Sequence, residues 1–448
     1  MNKMIRCLII SLLLFPAAIF SEEKEIPDQI HINPDLAVKM ALENNLYIKI
    51  AGVKIESKNR SRKSVWNNFI PEISTSMVFS NPNEVLPGYE DQWSVRLGLD
   101  MSLRLNAGLI YGIKYTGSEY KKGKIDFEAA RSNIEKNVKK LFLDLLLMKE
   151  KNKLMEETLK AAGDRFRKEK INYENGQSSE YDMLRAQVGY ESMKPELDSL
   201  KIAYSAMTMN FKQILGVPRK TAIFIDGKIE IEKIFLDSEI LISKYLSNSL
   251  DIKSLIQSLE ALKNQKRGLM LAYWSPTFAM GYDRSPSFMG DAFGDSWIKN
   301  RKDNWYDSGK FYFSFSMYLD ALIPRSKKFL EILNTKDAMK IAELNLTRAL
   351  QEAEIKIETE VMKLENYWNS IGTLELNEKV AEKAYNMAKE GYYAGSIDLL
   401  EMQDAELRLK KAKLGVLEGK SKYLTGLLNI EYFLNVSLDN LKKNVTPE

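Results

Sequence analysis

"YENGQSSEYDMLRAQ" at residues 173–187 and "YYAGSIDLLEMQDAE" at residues 392–406 are close to one phrase written twice. Aligned on their glycines, Gly176 meets Gly395, Tyr173 meets Tyr392, Asp182 meets Glu401 and Ala186 meets Ala405. The offset is 395 − 176 = 219 residues. Each glycine suits the left-handed residue that ends a helix. Three residues later Ser179 or Asp398 stands where a cap opens the next helix. Asp182 and Glu401 follow at the third helical position, which is the capping-box spacing. Each phrase therefore reads as a tight turn between two long antiparallel helices.

The flanks agree. Ile134, Val138, Leu141, Leu145, Met148, Met155 and Leu159 keep an alternating four-and-three spacing that only Asn152 interrupts. Before the second phrase, Ala353, Ile357, Val361, Leu364, Trp368 and Ile371 do the same. Such a heptad pattern predicts coiled-coil-like helices. At ~40 residues each would reach about 60 Å. Pro195 is expected to kink or interrupt the helix that carries it.

Working outward, "ENNLYIKI" (43–50) returns as "SNSLDIKS" (247–254), offset by 248 − 44 = 204 residues. The endings "ILGVP" and "FLNVS" also correspond. A repeat of this size is far beyond the ~20–50 residues of a solenoid unit. The chain reads as two copies of a domain-sized unit, each ordered helix, strand pair, very long helix, glycine turn, long helix.

The strand pairs announce themselves by a switch of period. After a first helix over roughly 34–68, Ile73, Thr75, Met77 and Phe79 alternate with small polar residues. Beyond a turn-rich loop at 81–92, Trp93, Val95, Leu97, Leu99, Met101 and Leu103 alternate with polar residues and Gly98. The second unit repeats this with Phe278, Met280 and Tyr282, a longer loop at 284–309, then Phe311, Phe313, Phe315 and Met317. The hairpins are placed at 72–103 and 277–319. Four strands of about ten residues, apolar on one face and polar on the other, fit a transmembrane β-barrel. A half-buried soluble sheet has the same period, but the helices are expected to hold no spare apolar stripe to cover these aromatic strands.

Residues 1–21 read as a secretory signal peptide: Lys3 and Arg6, an apolar run broken by Pro16, and Ser21 at the break. Cys7, the only cysteine, would leave with it. Removing Lys3 and Arg6 takes the net charge from +4 to +2, which gives no footprint for nucleic acid. The remaining divisions are a first repeat at 22–217, a connector at 218–237, a second repeat at 238–436 and a tail at 437–448.

An isolated four-stranded sheet cannot cross a bilayer, because its edges would leave backbone groups unpaired in hydrocarbon. Closure needs further chains: two give eight strands, a barrel filled by side chains, and three give twelve, with room for a lumen.

The repeat, the Tyr-x-x-Gly phrase with an acid six and an alanine ten positions on, and the embedded hairpins resemble the TolC-like outer-membrane efflux proteins over essentially the whole mature chain. The resemblance implies a mostly α-helical homotrimer in the outer membrane. Its twelve-stranded β-barrel, four strands per chain, would continue as a coiled-coil-like α-helical barrel through the periplasm. It implies a passive exit duct for a tripartite efflux or type I secretion system, with a periplasmic adaptor protein and an inner-membrane pump as partners. It also implies a periplasmic gate at the tips: Tyr392, Glu401 and Asp404 from the second turn, and Asp182 from the first. Family members can carry an arginine latch two residues after the second glycine, and here that position is Ile397. The first-half equivalent of Asp404 is the basic Arg185, expected to pair with Asp404 or Glu401 of an adjacent helix.

Other readings are set beside these. Glu401 has a capping reason to be acidic, Asp404 could lie on a solvated face, and Tyr392 could pack the tip. Trp66, Trp274 and Trp93 fit interfacial anchors, whereas Trp305 fits no such level. His31 has no nucleophile or acid cluster beside it, and no enzyme, metal or cofactor motif is found. An alternative function is a surface protein that binds through the 284–309 loop.

Overall fold

The computed structural model describes residues 29–81, 93–289 and 305–445. The expected signal peptide, the first hairpin's loop, the middle of the 284–309 loop and the last three residues lie outside them.

In chain order the elements are β1 (Gln29–Ile32), α1 (Pro34–Asn44), α2 (Leu46–Ser64), β2 (Glu72–Ser80), β3 (Ser94–Leu105), α3 (Gly108–Glu174), α4 (Glu180–Leu215) and β4 (Ala222–Ile225). Then come α5 (Ser238–Tyr245), α6 (Leu250–Trp274), β5 (Thr277–Arg284), β6 (Pro286–Met289), β7 (Trp305–Asp307), β8 (Lys310–Ser316), α7 (Lys327–Tyr393), α8 (Leu399–Leu434) and α9 (Leu438–Val445). Both ends of α7 and of α8 lie 219 residues after those of α3 and α4 (327 − 108 and 399 − 180). The cores shift equally. Val138, Phe142, Leu145, Phe211 and Leu215 in the first unit correspond to Ile357, Val361, Leu364, Ile430 and Leu434 in the second, all buried. Even the closing left-handed residues match, Gly216 at φ 68° and Asn435 at φ 52°.

Several sequence expectations need correction. Helices α3 and α7 have 67 residues, about 100 Å at 1.5 Å per residue, not ~40. Glycines hide the upper part of α3, because each weakens helix propensity. At Gly108 that weakness serves packing: an added Cβ would lie 2.6 Å from the Gly268 carbonyl oxygen and 2.7 Å from the Ala272 Cβ on α6. The first helix is not continuous but breaks at buried Asn45. Its side chain accepts from the Tyr47 N–H and donates to the Ile214 carbonyl, both at 2.8 Å. Pro195 does not interrupt α4, which runs unbroken through it. The proline removes one ladder bond, and the flanking turns stay anchored by buried Ala186, Leu197 and Phe211. The connector contains β4, which pairs in parallel with β1 and adds Ile225 to the first unit's core beside Ile32. The tail carries α9, with Leu441 buried in the second unit's core.

The sheet has four spatial strands. β5 and β6 follow one register against β3, and β7 and β8 follow one register against them, so the second hairpin continues into both ends of the expected 284–309 loop. Trp305 is therefore a strand residue opposite Phe288, packed with Val95 and Leu97 in a small core at the loop end. Pairing carries like to like across the sheet: Ile73 with Met101, Met101 with Tyr282 and Tyr282 with Phe311. The other face pairs Ser74 with Asp100, Asp100 with Asp283 and Asp283 with Lys310. One face is thus apolar and aromatic across all four strands. Much of it is exposed in the single chain, Phe313 at 61% and Phe315 at 76%.

Among the described residues β2 pairs with β3 alone and β8 with β5 alone, so both sheet edges are open. Helices continue these edges. Below the sheet α4 packs on α3, α3 on α8, and α8 on α7. The outer two, α4 and α7, carry exposed stripes, so the expectation of no spare apolar stripe is overturned. On α4 they are Tyr181, Val188, Ile202 and Met209, with Pro195 at the seven-residue step between Val188 and Ile202. On α7 they include Ile355, Met362, Leu376, Val380 and Met387. Seven-residue spacing on a side turned from the core is a coiled-coil seam without its partner.

Candidate functional site

The two turns lie together at the end of the helices farthest from the sheet. Gly176 and Gly395 adopt φ of 71° and 77°, values that L side chains rarely take up. Their hydrogen bonds repeat one for one: Gly176 N–H to Tyr173 and Gln177 N–H to Asn172, then Gly395 N–H to Tyr392 and Ser396 N–H to Gly391. Ser179 Oγ accepts from the Asp182 N–H at 3.1 Å, and Asp398 Oδ1 accepts from the Glu401 N–H at 2.8 Å. These bonds satisfy N–H groups that a helix start leaves open.

Beyond the turns the two hairpins differ. Glu401 and Asp404 are exposed on α8, and no ion pair reaches either among the described residues. Asp182 accepts from the Ser179 hydroxyl at 2.5 Å. Among the described residues no acid of its own chain pairs with Arg185; its guanidinium lies 5.8 Å from the Tyr181 ring centre. Ile397 stands at the position of the expected latch arginine and packs against the buried cluster of Ala186, Ala388, Leu399 and Met402.

Two polar links across the hairpins were not foreseen. The Tyr392 hydroxyl donates to Glu169, a residue of α3 that is 4% exposed and also accepts from Ser178 Oγ at 2.9 Å. Burial first, and then the Glu169 carboxylate beside it, push the Tyr392 hydroxyl well above its ordinary pKa, so it remains a donor throughout the physiological range. About one turn beyond Glu169, farther from the tip, Arg165 on α3 meets Glu406 on α8 at 2.6 Å, with the side chains 8% and 12% exposed. Lys168 lies over the Tyr393 ring at 3.9 Å. Ala186, Ala388, Leu399 and Met402 form an apolar plug between these links. Glu406 stands at the end of the quoted phrase, but only the packing of one hairpin on the other reveals its partner.

This arrangement can hold, part and bind charge. At the other end of the helices, the sheet offers an apolar face and two open edges.

Comparison with known proteins points the same way. Residues 37–216 match the outer membrane efflux protein family. The fold resembles that of the Campylobacter jejuni CmeC outer membrane channel (16% identity, 92% of this chain and 90% of that one, TM-score 0.75). It also resembles the outer membrane protein VceC of Vibrio cholerae (15%, 90% and 96%, TM-score 0.71). A third likeness is the open state of the Neisseria gonorrhoeae MtrE outer membrane channel (16%, 92% and 91%, TM-score 0.69). No curated protein matches the chain in sequence.

Proposed function

From a chain whose residues 37–216 belong to the outer membrane efflux protein family, we infer an outer-membrane channel, a passive duct from the periplasm to the exterior. Three copies close it, giving twelve strands in the membrane and a helical barrel below. One observation carries the reading. Among the described residues the chain is open along both sides, β2, α2 and α4 on one and β8 and α7 on the other, while its sheet exposes an aromatic face. Unpaired strand edges are not tolerated in hydrocarbon, and a head-to-tail contact that closes makes a ring. Trp66, Trp93 and Trp274 are all at least 41% exposed and serve as interfacial anchors. Environment-sensitive probes at residues 73 and 313 should report lipid, and probes at 74 and 314 should report water. Equal exposure of the two sets would refute the membrane assignment.

The tips at 173–182 and 392–404 dock a periplasmic adaptor and an inner-membrane pump. Most of their residues are exposed, Leu399 and Met402 being buried between the hairpins, and they lie farthest from the sheet. Charge reversal of Asp182 and Glu401 should abolish co-purification of an adaptor; an undiminished yield would refute docking there.

The tips also form the gate. Three copies of Glu401 and Asp404 bring six carboxylates around one narrow axis, where like charges favour bound cations. Neutralising both, as Glu401→Gln with Asp404→Asn, should remove block by multivalent cations in single-channel recordings. Unchanged block would reduce these acids to a cap-region residue and a solvated face. A surface-binding role through the 284–309 loop is not favoured, since it gives the 67-residue helices no task.

A further inference from the structure

The second hairpin carries a charged stripe that extends well above the tip. On α8, Glu401, Asp404, Arg408, Lys411, Glu418 and Lys422 recur at steps of three, four or seven residues, the spacing of one helix face. Tyr423, Leu427, Ile430 and Leu434 occupy the other face, buried under α5, α9 and the connector. On α3, Val138, Phe142 and Leu145 are covered in the same way by β1, α1 and β4. These covering elements form a belt on one side of the helical wall. In a closed ring the belt must lie outside, because inside it would fill the lumen. The uncovered side, with the charged stripe, then lines the duct. Lys140 of α3, Lys363 of α7 and Lys422 of α8 border one groove, so three helices turn charge the same way.

The signs along the stripe are sorted by height. Glu401 and Asp404 stand at the tip, and Arg408 and Lys411 follow about 6 Å and 10 Å beyond Asp404 along the axis. Lys422 stands higher still. Between residues 405 and 425 the acids of α8 are Glu406 and Glu418, and both are paired, with Arg165 and Lys151. On the neighbouring helices Glu360 pairs with Lys363 at 2.8 Å, and Lys140 beside Asp144 offsets its charge. Arg408, Lys411 and Lys422 are exposed, and among the described residues no carboxylate pairs with any of the three. One repeat back their counterparts are Gly189, Ser192 and Ala203 on α4, so the repeated fold does not require charge at these places. Three copies of the chain would set nine cations around the lumen behind the carboxylates of the tips. The Debye length is ~8 Å at physiological salt, so a solute level with Lys411 is largely screened from the acids and meets the cations directly. Walls of one sign raise the local concentration of counter-ions.

We propose that Arg408, Lys411 and Lys422 form an anion-attracting band in the lumen, and that the solutes this duct exports carry negative charge, as organic carboxylates, sulfates and phosphates do. The inference rests on the duct reading and adds the class of cargo. Currents across planar bilayers under a potassium chloride gradient test it, with tripolyphosphate as the probe anion. Arg408→Gln, Lys411→Gln and Lys422→Gln together should lower the chloride-over-potassium permeability ratio several-fold. The same variant should need about tenfold more tripolyphosphate for half block. Neutralising the tips, as Glu401→Gln with Asp404→Asn, should move the permeability ratio the opposite way. Single substitutions supply the control. Lys422→Gln and Lys420→Gln each remove one cation, two residues apart, but Lys420 borders the connector and pairs with Glu375 on the belt side. Lys422→Gln should lower the ratio, and Lys420→Gln should leave both ratio and block at the wild-type values. The inference is overturned if the triple variant and Lys422→Gln conduct with unchanged selectivity and block, or if Lys420→Gln shifts them as far as Lys422→Gln does. A wild-type protein that carries no current defeats the duct itself and this inference with it.

Discussion

Phe313→Arg is expected to abolish insertion of the assembled protein into the outer membrane, and Ser314→Arg on the same strand to be accepted. Phe313 pairs with Met280 and stacks on Phe278 on the apolar face, whereas Ser314 pairs with Ala279 on the other. An arginine facing lipid near the bilayer centre costs about 2–4 kcal/mol. In the proposed trimer that cost is repeated three times, for a total of about 6–12 kcal/mol, comparable to the whole stability of many domains. In the proposed duct Ser314 faces the lumen, where a guanidinium stays hydrated. Fractionated membranes probed for a heat-resistant oligomer give the readout. Equal yields from the two variants would mean that this face does not meet lipid.

Arg165→Leu is expected to cause a large loss of stability at the helical end. It leaves the Glu406 carboxylate buried without its cation, a change of about 3–5 kcal/mol per chain. The pair is 8% and 12% exposed, so solvent screening offers little relief. The double variant Arg165→Leu with Glu406→Leu should recover most of the loss, because two apolar side chains leave no charge to desolvate. Thermal unfolding together with limited proteolysis near residues 173–182 follows both. A double variant as unstable as the single one would indicate that packing, rather than charge pairing, is what Arg165 supplies.

The tip turns were legible in the sequence because their chemistry is local. A glycine able to take positive φ, a cap residue three positions on and an acid three beyond it fix the geometry within ten residues. The sheet's two faces were legible for a similar reason, since alternation survives whichever strands pair. What escaped notice depends on packing between distant segments. Arg165 and Glu406 are 241 residues apart, and Glu169 and Tyr392 are 223 apart; a repeat pattern does not say which hairpin face meets which. Asn45 breaks the first helix through a carbonyl 169 residues away. β1 and β4 are four residues each, too short for a periodic signal, and they hold together through a core built by other elements. The upper part of α3 escaped because its glycines lower helix propensity where they permit close approach to α6. The apolar stripes on α4 and α7 share helices with the core pattern, and a single heptad reading per helix absorbs them.

We propose that this open-edged chain becomes a duct by closing on copies of itself. Its most direct test is the mass of the detergent-solubilised protein by light scattering with detergent subtracted, joined to current through the same preparation in planar bilayers. Three chains per particle and discrete single-channel steps are predicted. A monodisperse single chain or dimer that carries no current would contradict the account.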